Sequence, residues 1–415
     1  MIAIIGSGIT GLTSAWLLSK YYPVTLYEKH SEIGMAAFGA NHQINGNVFE
    51  FDIPFRTIKR DYYPTLFQIY DKAGIQTRPV DYSFRVESGG DPVFGFRSYS
   101  MFGANFGMPT FDSFRNEKGI KIFYDLLRFY ANSKTDWSKE NAPLSIRQFL
   151  EKNKYSSEFI NEFLLPTFAL VNTCKTETVG GYPAETIIGY HSRGYAYTPQ
   201  ETARFGTRDI VNRLVGDIRN IELGAKIKSI VSRKGKPVIQ FESGEKEFEH
   251  VILTTQANQA YHLLGDDFAK EKEALSYFKY EPSDVILHED SSFFEKRDVS
   301  LVFRVNEKFD KPEVTLDLGR IVPELKGRNL FQTWNPHSIP PKDKILKTAQ
   351  FERPIVDEKT IFGIQGLADL HKMESRRLWL CGSYSLFGIP LLEAGAKSAM
   401  NVAEIIAGKS GSELI

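Results

Sequence analysis

The chain has 415 residues, two to three domains' worth, and its core is large enough to need no disulfide or metal staples. Fifty-one Lys plus Arg balance 51 Asp plus Glu, which argues against a nucleic-acid partner. The two cysteines, Cys174 and Cys381, form no CxxC or metal-ligand spacing, so no metal is expected, and a reducing cytoplasmic setting fits.

The first strand is read from Ile2 to Ile5, with no secretory leader before it, and no apolar run reaches the ~18–20 residues of a spanning helix, so a soluble chain is expected. That strand breaks into Gly6-Ser7-Gly8-Ile9-Thr10-Gly11, the full GxGxxG spacing. An amphipathic helix bearing Leu12, Ala15, Trp16 and Leu18 follows, then a second β-rich run from Val24 to Tyr27 that ends on Glu28. Each residue type has a mechanical reason in a dinucleotide site. Gly6 permits the turn, Gly8 lets backbone approach a pyrophosphate, and Gly11 lets helix and strand pack closely. The helix N-terminus offers free N–H donors to phosphate, and Glu28 accepts from ribose hydroxyls. Replacing Glu28 by Ala is expected to weaken cofactor retention with little effect on folding.

Asn47 to Asp52 alternates like a strand, and a helix from about Tyr63 to Ala73 stops at Gly74. The run EKHSEIGMAAFG (28–39), then FEFDIPFRT (49–57) and YYPTLFQIYDKAGI (62–75), resembles the opening of the flavin-containing amine oxidoreductase superfamily, which includes amine oxidases, protoporphyrinogen oxidase and phytoene desaturases. Within it, the chain is most similar to a bacterial branch of predicted NAD/FAD-binding proteins. Asp81 to Val86, FLLPTFALVNTC, VILTTQANQA, LHED around His288 and FERPIVD fall where that branch has similar segments, so the resemblance covers nearly the whole chain.

The resemblance implies an α/β, Rossmann-like FAD-binding domain of the amine oxidase type with a discontinuous α+β substrate domain. The FAD-binding parts are expected at 1–85, 200–265 and 355–415. A mostly helical part of the substrate domain is expected at 86–199, with helices over Ile120–Ala131, Ile146–Lys152 and Ser156–Leu165 stopping at Pro166, and a β-sheet part at 266–354. Runs at Asp284–His288, Ser300–Val305, Val314–Leu318 and Leu330–Trp334 read as its strands. By resemblance, the Ser7 to Thr10 loop with Lys29 belongs to the FAD site, and Ile227 contacts the adenine through its backbone. Gly382 and Ser383, after a buried strand, meet the diphosphate, and Leu392 to Gly395 open a helix whose N-terminus faces the flavin. A helix dipole there stabilises negative charge on a reduced flavin.

No GxSxG elbow, HExxH or metal-spaced cluster is present, so non-covalent FAD is expected to carry the chemistry. Arg56, Tyr384 and Phe387 are the candidates beside the flavin. The aromatics would wall the substrate space and Arg56 would polarise flavin or an anionic group, or all three would serve packing and ion pairing alone. His42, His191, His288 and His337 lie near these segments and read as satisfied polar residues. Cys381 reads as inert packing and Cys174 stays unassigned. The chain departs from its relatives at Gly34-Met35-Ala36-Ala37, where a Gly-Gly pair is usual, and at Gly388 to Gly395, where the branch tends to carry Gly-Phe-His-Glu-Asp-Gly. The second departure makes the flavin edge more apolar. The expected activity is hydride removal from a small, largely apolar organic substrate, lipid-like by resemblance or a specialised biosynthetic intermediate, with O2 or another electron acceptor. Redox-neutral isomerisation or cyclisation and non-catalytic flavin binding are the alternatives.

Overall fold

The computed structural model describes residues 1–44, 47–101, 104–140, 142–191, 200–296 and 298–415. The first strand, Ile2–Ile5, sits at the centre of a five-stranded parallel sheet, in the order Asn220–Glu222, Val24–Tyr27, Ile2–Ile5, His250–Leu253, Leu378–Leu380. Ile2 and Ile4 face one apolar cluster while Ala3 and Ile5 face another, so both sides of the strand are buried. This is why it reads as a continuous apolar run rather than an alternating one.

The helix Ile9–Leu18 is buried along every residue rather than on one stripe, because the sheet lies beneath it and other helices cover its remaining faces. Chief among these is the C-terminal helix Leu392–Ala407. A Cβ on Gly395 would sit 2.8 Å from Thr10 Oγ1 and 3.0 Å from Ile9 Cγ2, so this glycine sets the approach of the two helices. The helix Pro64–Ala73 begins on a proline that needs no N–H partner and ends at Gly74, whose φ of +70° suits glycine.

A second, eight-stranded sheet is ordered Ile345–Pro354, Tyr280–His288, Phe331–Trp334, Glu313–Asp317, Leu301–Val305, Phe84–Ser88, Asp91–Met101, Ala104–Pro109. Its pairings are antiparallel except Leu301–Val305 with Phe84–Ser88. Two separated stretches of chain thus build one mixed sheet, and Phe84–Ser88 straddles the expected 85/86 boundary. The boundary at 199/200 abuts residues 192–199, which lie outside the described residues.

Helices cover this sheet and share its core, among them Glu117–Trp137, Ile146–Lys152 and Leu165–Asn172. The helical path does not stop at Pro166. It passes through a wide turn at Phe159–Leu164 into Leu165–Asn172, where the proline occupies the first turn and costs no hydrogen bond. Among the described residues, no helix is long and apolar enough to cross a membrane.

Candidate functional site

Three turns leave the C-terminal ends of the parallel strands on one side of the sheet: Gly6–Gly8, Thr254–Gln256 and Gly382–Tyr384. In open α/β sheets that is where ligands bind. The glycines of the first turn do different work. Gly6 has φ +103°. A Cβ on Gly11 would lie 1.9 Å from the Gly6 carbonyl oxygen, so helix and strand touch through it. A Cβ on Gly8 would meet nothing within 4 Å, and Gly8 borders a cavity of about 370 Å³. The helix that follows has no side-chain cap and no acidic residue in its first turn, which leaves its leading N–H groups free for an anion.

Glu28 is buried at the end of the second strand. Its carboxylate accepts from Ser7 N (3.0 Å), Ser7 Oγ (2.5 Å) and His30 N (2.9 Å). Gly34 N donates to Ser7 Oγ at 2.6 Å, which ties the following loop to the same serine. Thr254 Oγ1 donates toward the carbonyl oxygens of Ile5 and Gly6, each at 2.9 Å, and so braces the turn from the neighbouring strand. No residue-type signal singles out this threonine in the sequence.

The cavity runs from Gly8, Ile9 and Thr10 past Gly382, Ser383 and Leu392 to Arg56 and on to the large sheet. There Leu301, Phe303, Val314 and Leu316 line it. Their pairings, Leu301 with Leu316 and Phe303 with Val314, put these four on one face of the sheet.

Arg56 donates from Nη1 to Thr207 Oγ1 (2.8 Å) and from Nη2 to the Met35 carbonyl (3.4 Å). Burial lowers its pKa and nearby Asp52 opposes the shift. The Asp52 carboxylate itself accepts from Thr207 N at 3.0 Å, so Arg56 is anchored by neutral acceptors rather than by an ion pair.

Tyr384 lines the cavity and is buried, packed edge-on against Phe278 at 4.8 Å. A Cβ on Gly382 would meet its ring at 2.5 Å, so glycine is required there for packing. Burial raises the Tyr384 phenol well above its usual range, and its hydroxyl meets no partner among the described residues.

Several expected residues lie away from the cavity. Phe387 is 47% exposed and outside the lining. Lys29 is exposed. Ile227 opens the strand Ile227–Arg233 of a separate three-stranded sheet and borders the cluster that contains Tyr27. Gly6, Gly11 and Gly395 shape the site from behind rather than bordering it. Cys381 and Cys174 are both buried, and burial pushes each thiol up to about 12, so neither is a ready nucleophile.

Among the described residues no histidine borders the cavity. His288 is buried between the Thr333 hydroxyl and the Asp290 N–H, and burial holds it down to about 4. His337 stacks on Phe309, and His191 packs among aromatic rings. The His42 side chain lies outside the described ones. Glu393, at the start of the C-terminal helix, turns from the cavity to accept from Thr65 N and Leu66 N, both at 3.0 Å. The acid in this motif therefore caps a neighbouring helix, and Pro390, Leu391 and Leu392 present an apolar rim instead.

Among the cavity residues to which the sequence reading gave no role are Tyr280, Trp334 and Arg353. Arg353 comes from the edge strand Ile345–Pro354, on the less exposed face that it shares with Lys347, Ala349 and Phe351.

The family of NAD(P)-binding Rossmann-like domains matches residues 4–73. No curated protein matches the chain. Solved structures match it end to end at low identity. A protein from Exiguobacterium sp. 255-15 with a provisional protoporphyrinogen oxidase assignment superposes at TM-score 0.68, with 14% identity over 98% of each chain. A CLA-producing fatty acid isomerase from P. acnes gives 0.67 and 15%, over 97% of this chain and 98% of that one. Cyclohexylamine oxidase from Brevibacterium oxydans IH-35A gives 0.64 and 13%, over 98% and 99%. The class is therefore a flavin oxidoreductase-like α/β fold with a Rossmann-like domain and a second, mixed sheet. More particularly, it is the fold of the flavin amine oxidases and protoporphyrinogen oxidase.

Proposed function

We propose that this protein is a FAD-dependent oxidoreductase that removes a hydride from a largely apolar organic substrate. The observation that carries this reading is the single cavity that joins the glycine turn at Gly8, through Gly382 and Leu392, to an apolar sheet face. A dinucleotide laid along it would meet the free N–H groups at Ile9 and Thr10, with Glu28 at the end of the second strand on the ribose side. The space left by the missing Gly8 side chain is where a pyrophosphate fits. The start of the C-terminal helix, which has no side-chain cap and borders the cavity at Leu392, suits the flavin end. FAD bound there would supply a two-electron acceptor for a substrate C–H.

The chain's own residues position and exclude. Leu301, Phe303, Val314 and Leu316 keep the substrate space dry. Burial raises the phenols of Tyr63, Tyr190, Tyr280 and Tyr384, which keeps them protonated, so they act as neutral walls and donors rather than as bases. Arg56, fixed by Thr207 and Met35, holds a positive charge at the junction of the two parts, suited to developing negative charge.

The test is spectroscopic. The purified protein should show oxidised-flavin absorbance bands that bleach anaerobically with a turned-over substrate. A protein that purifies without flavin and takes none up when FAD is supplied would contradict the reading. Anaerobic turnover without bleaching would instead place the reaction with isomerisation, the activity named for the P. acnes neighbour.

A further inference from the structure

Arg353 borders the cavity on the side of the large sheet, without a carboxylate partner among the described residues. Its Nε donates to Thr173 Oγ1 at 3.1 Å, and its guanidinium lies over the Trp334 and Phe351 rings, 5.1 and 5.6 Å from their centroids. The terminal nitrogens meet no acceptor among the described residues. Glu281, directly across the strand pair, is occupied by Lys175 N (3.0 Å) and Thr178 Oγ1 (2.5 Å). Glu352 turns to the Asn258 side chain at 2.9 Å. Burial and the like charge of Arg56 hold the Arg353 pKa down to about 10, which leaves it a cation at neutral pH. A half-buried cation with no counter-ion among the described residues is costly, and a planar fork whose two terminal nitrogens meet no acceptor among them is the geometry that takes a carboxylate bidentately.

From Arg353 the apolar wall continues along one helix. Thr173, Val171, Leu170 and Thr167 all border the cavity, and Thr167, Val171 and Tyr190 are shared with a second, aromatic hollow lined by Phe84, Phe163 and Phe168. Thr167 and Thr173 are about 9 Å apart at the usual helical rise. Phe84 stacks on Phe303 of the cavity wall at 5.0 Å, so cavity and hollow share one aromatic lining.

We propose that Arg353 anchors a carboxylate at one end of an otherwise apolar substrate whose body runs past Leu170 and Val171 toward the Phe84, Phe163 and Phe168 hollow. This assigns the substrate class, an amphipathic carboxylate, and it rests on the reading of this cavity as the substrate site. It also disfavours a primary amine substrate, whose ammonium would face two guanidinium groups.

Calorimetric titration of the purified holoprotein with octanoate, octanamide and octylamine tests the assignment. Octanoate should bind at least about tenfold tighter than octanamide, octylamine should bind most weakly, and Arg353→Met should erase the octanoate advantage while leaving octanamide within about twofold. Equal binding of octanoate and octanamide by the wild type would overturn it, whether or not the variant folds. So would an Arg353→Met protein that keeps the preference, or one that loses flavin absorbance, since the arginine would then serve the cofactor. The two readings fail separately. A flavin-free wild type that still prefers octanoate through Arg353 would remove the FAD reading and leave carboxylate recognition standing.

Discussion

At the Gly8 end of the cavity the chain is shaped by its backbone. Gly11 lies against the Gly6 carbonyl, Gly395 against Thr10, and Thr254 and Glu28 tie the turn from two neighbouring strands. At the end formed by the large sheet the walls are side chains, Phe303 and Leu316 on the sheet and Leu170 on a helix, drawn from segments more than a hundred residues apart. A backbone site demands particular glycines at particular spacings, whereas a side-chain wall accepts many apolar residues of similar volume. The first kind is thus held constant by sterics, and the second is where a common fold changes its substrate.

This contrast can be broken in two places. Gly11→Ala should have the largest effect. Its methyl would meet backbone 1.9 Å away, and backbone cannot swing aside as a side-chain tip can. A loss of more than about 3 kcal/mol, or failure to accumulate as folded protein, is expected in denaturant titration. A near-wild-type midpoint would show that the helix and strand do not touch as described.

Glu28→Ala comes next, at about 2–3 kcal/mol, because it leaves the Ser7 N–H, the Ser7 hydroxyl and the His30 N–H without their buried acceptor. The sequence-based expectation of little effect on folding is thus revised, since the carboxylate braces the turn in addition to the ribose role proposed for it. Loss of flavin with an unchanged melting temperature would favour the original expectation.

The same contrast explains what was readable in the sequence. The strand, the glycine turn, the first helix and the C-terminal helix announce themselves because each glycine or apolar run answers a local steric demand. Arg353 was hidden because its strand lies at a sheet edge, where Lys347 and Arg353 itself put charge on the less exposed face that also carries Ala349 and Phe351. Thr254 was hidden because its role depends on a hydrogen bond to a turn about 250 residues away in sequence. Phe387 was expected at the flavin because it follows Gly382 closely, and its ring is half exposed and outside the cavity lining. Glu393 drew no role from the sequence, and its two hydrogen bonds show that it caps the helix beginning at Pro64.

The central claim is that Gly8 leaves space for a cofactor rather than for the fold. It is tested most directly by flavin content per folded chain in Gly8→Val, measured by absorbance beside a thermal melt. Because a Cβ at Gly8 would meet no protein atom within 4 Å, the variant should fold, purify without flavin and melt close to wild type stripped of its flavin. A Gly8→Val protein that retains stoichiometric FAD would contradict the placement of the pyrophosphate on this turn.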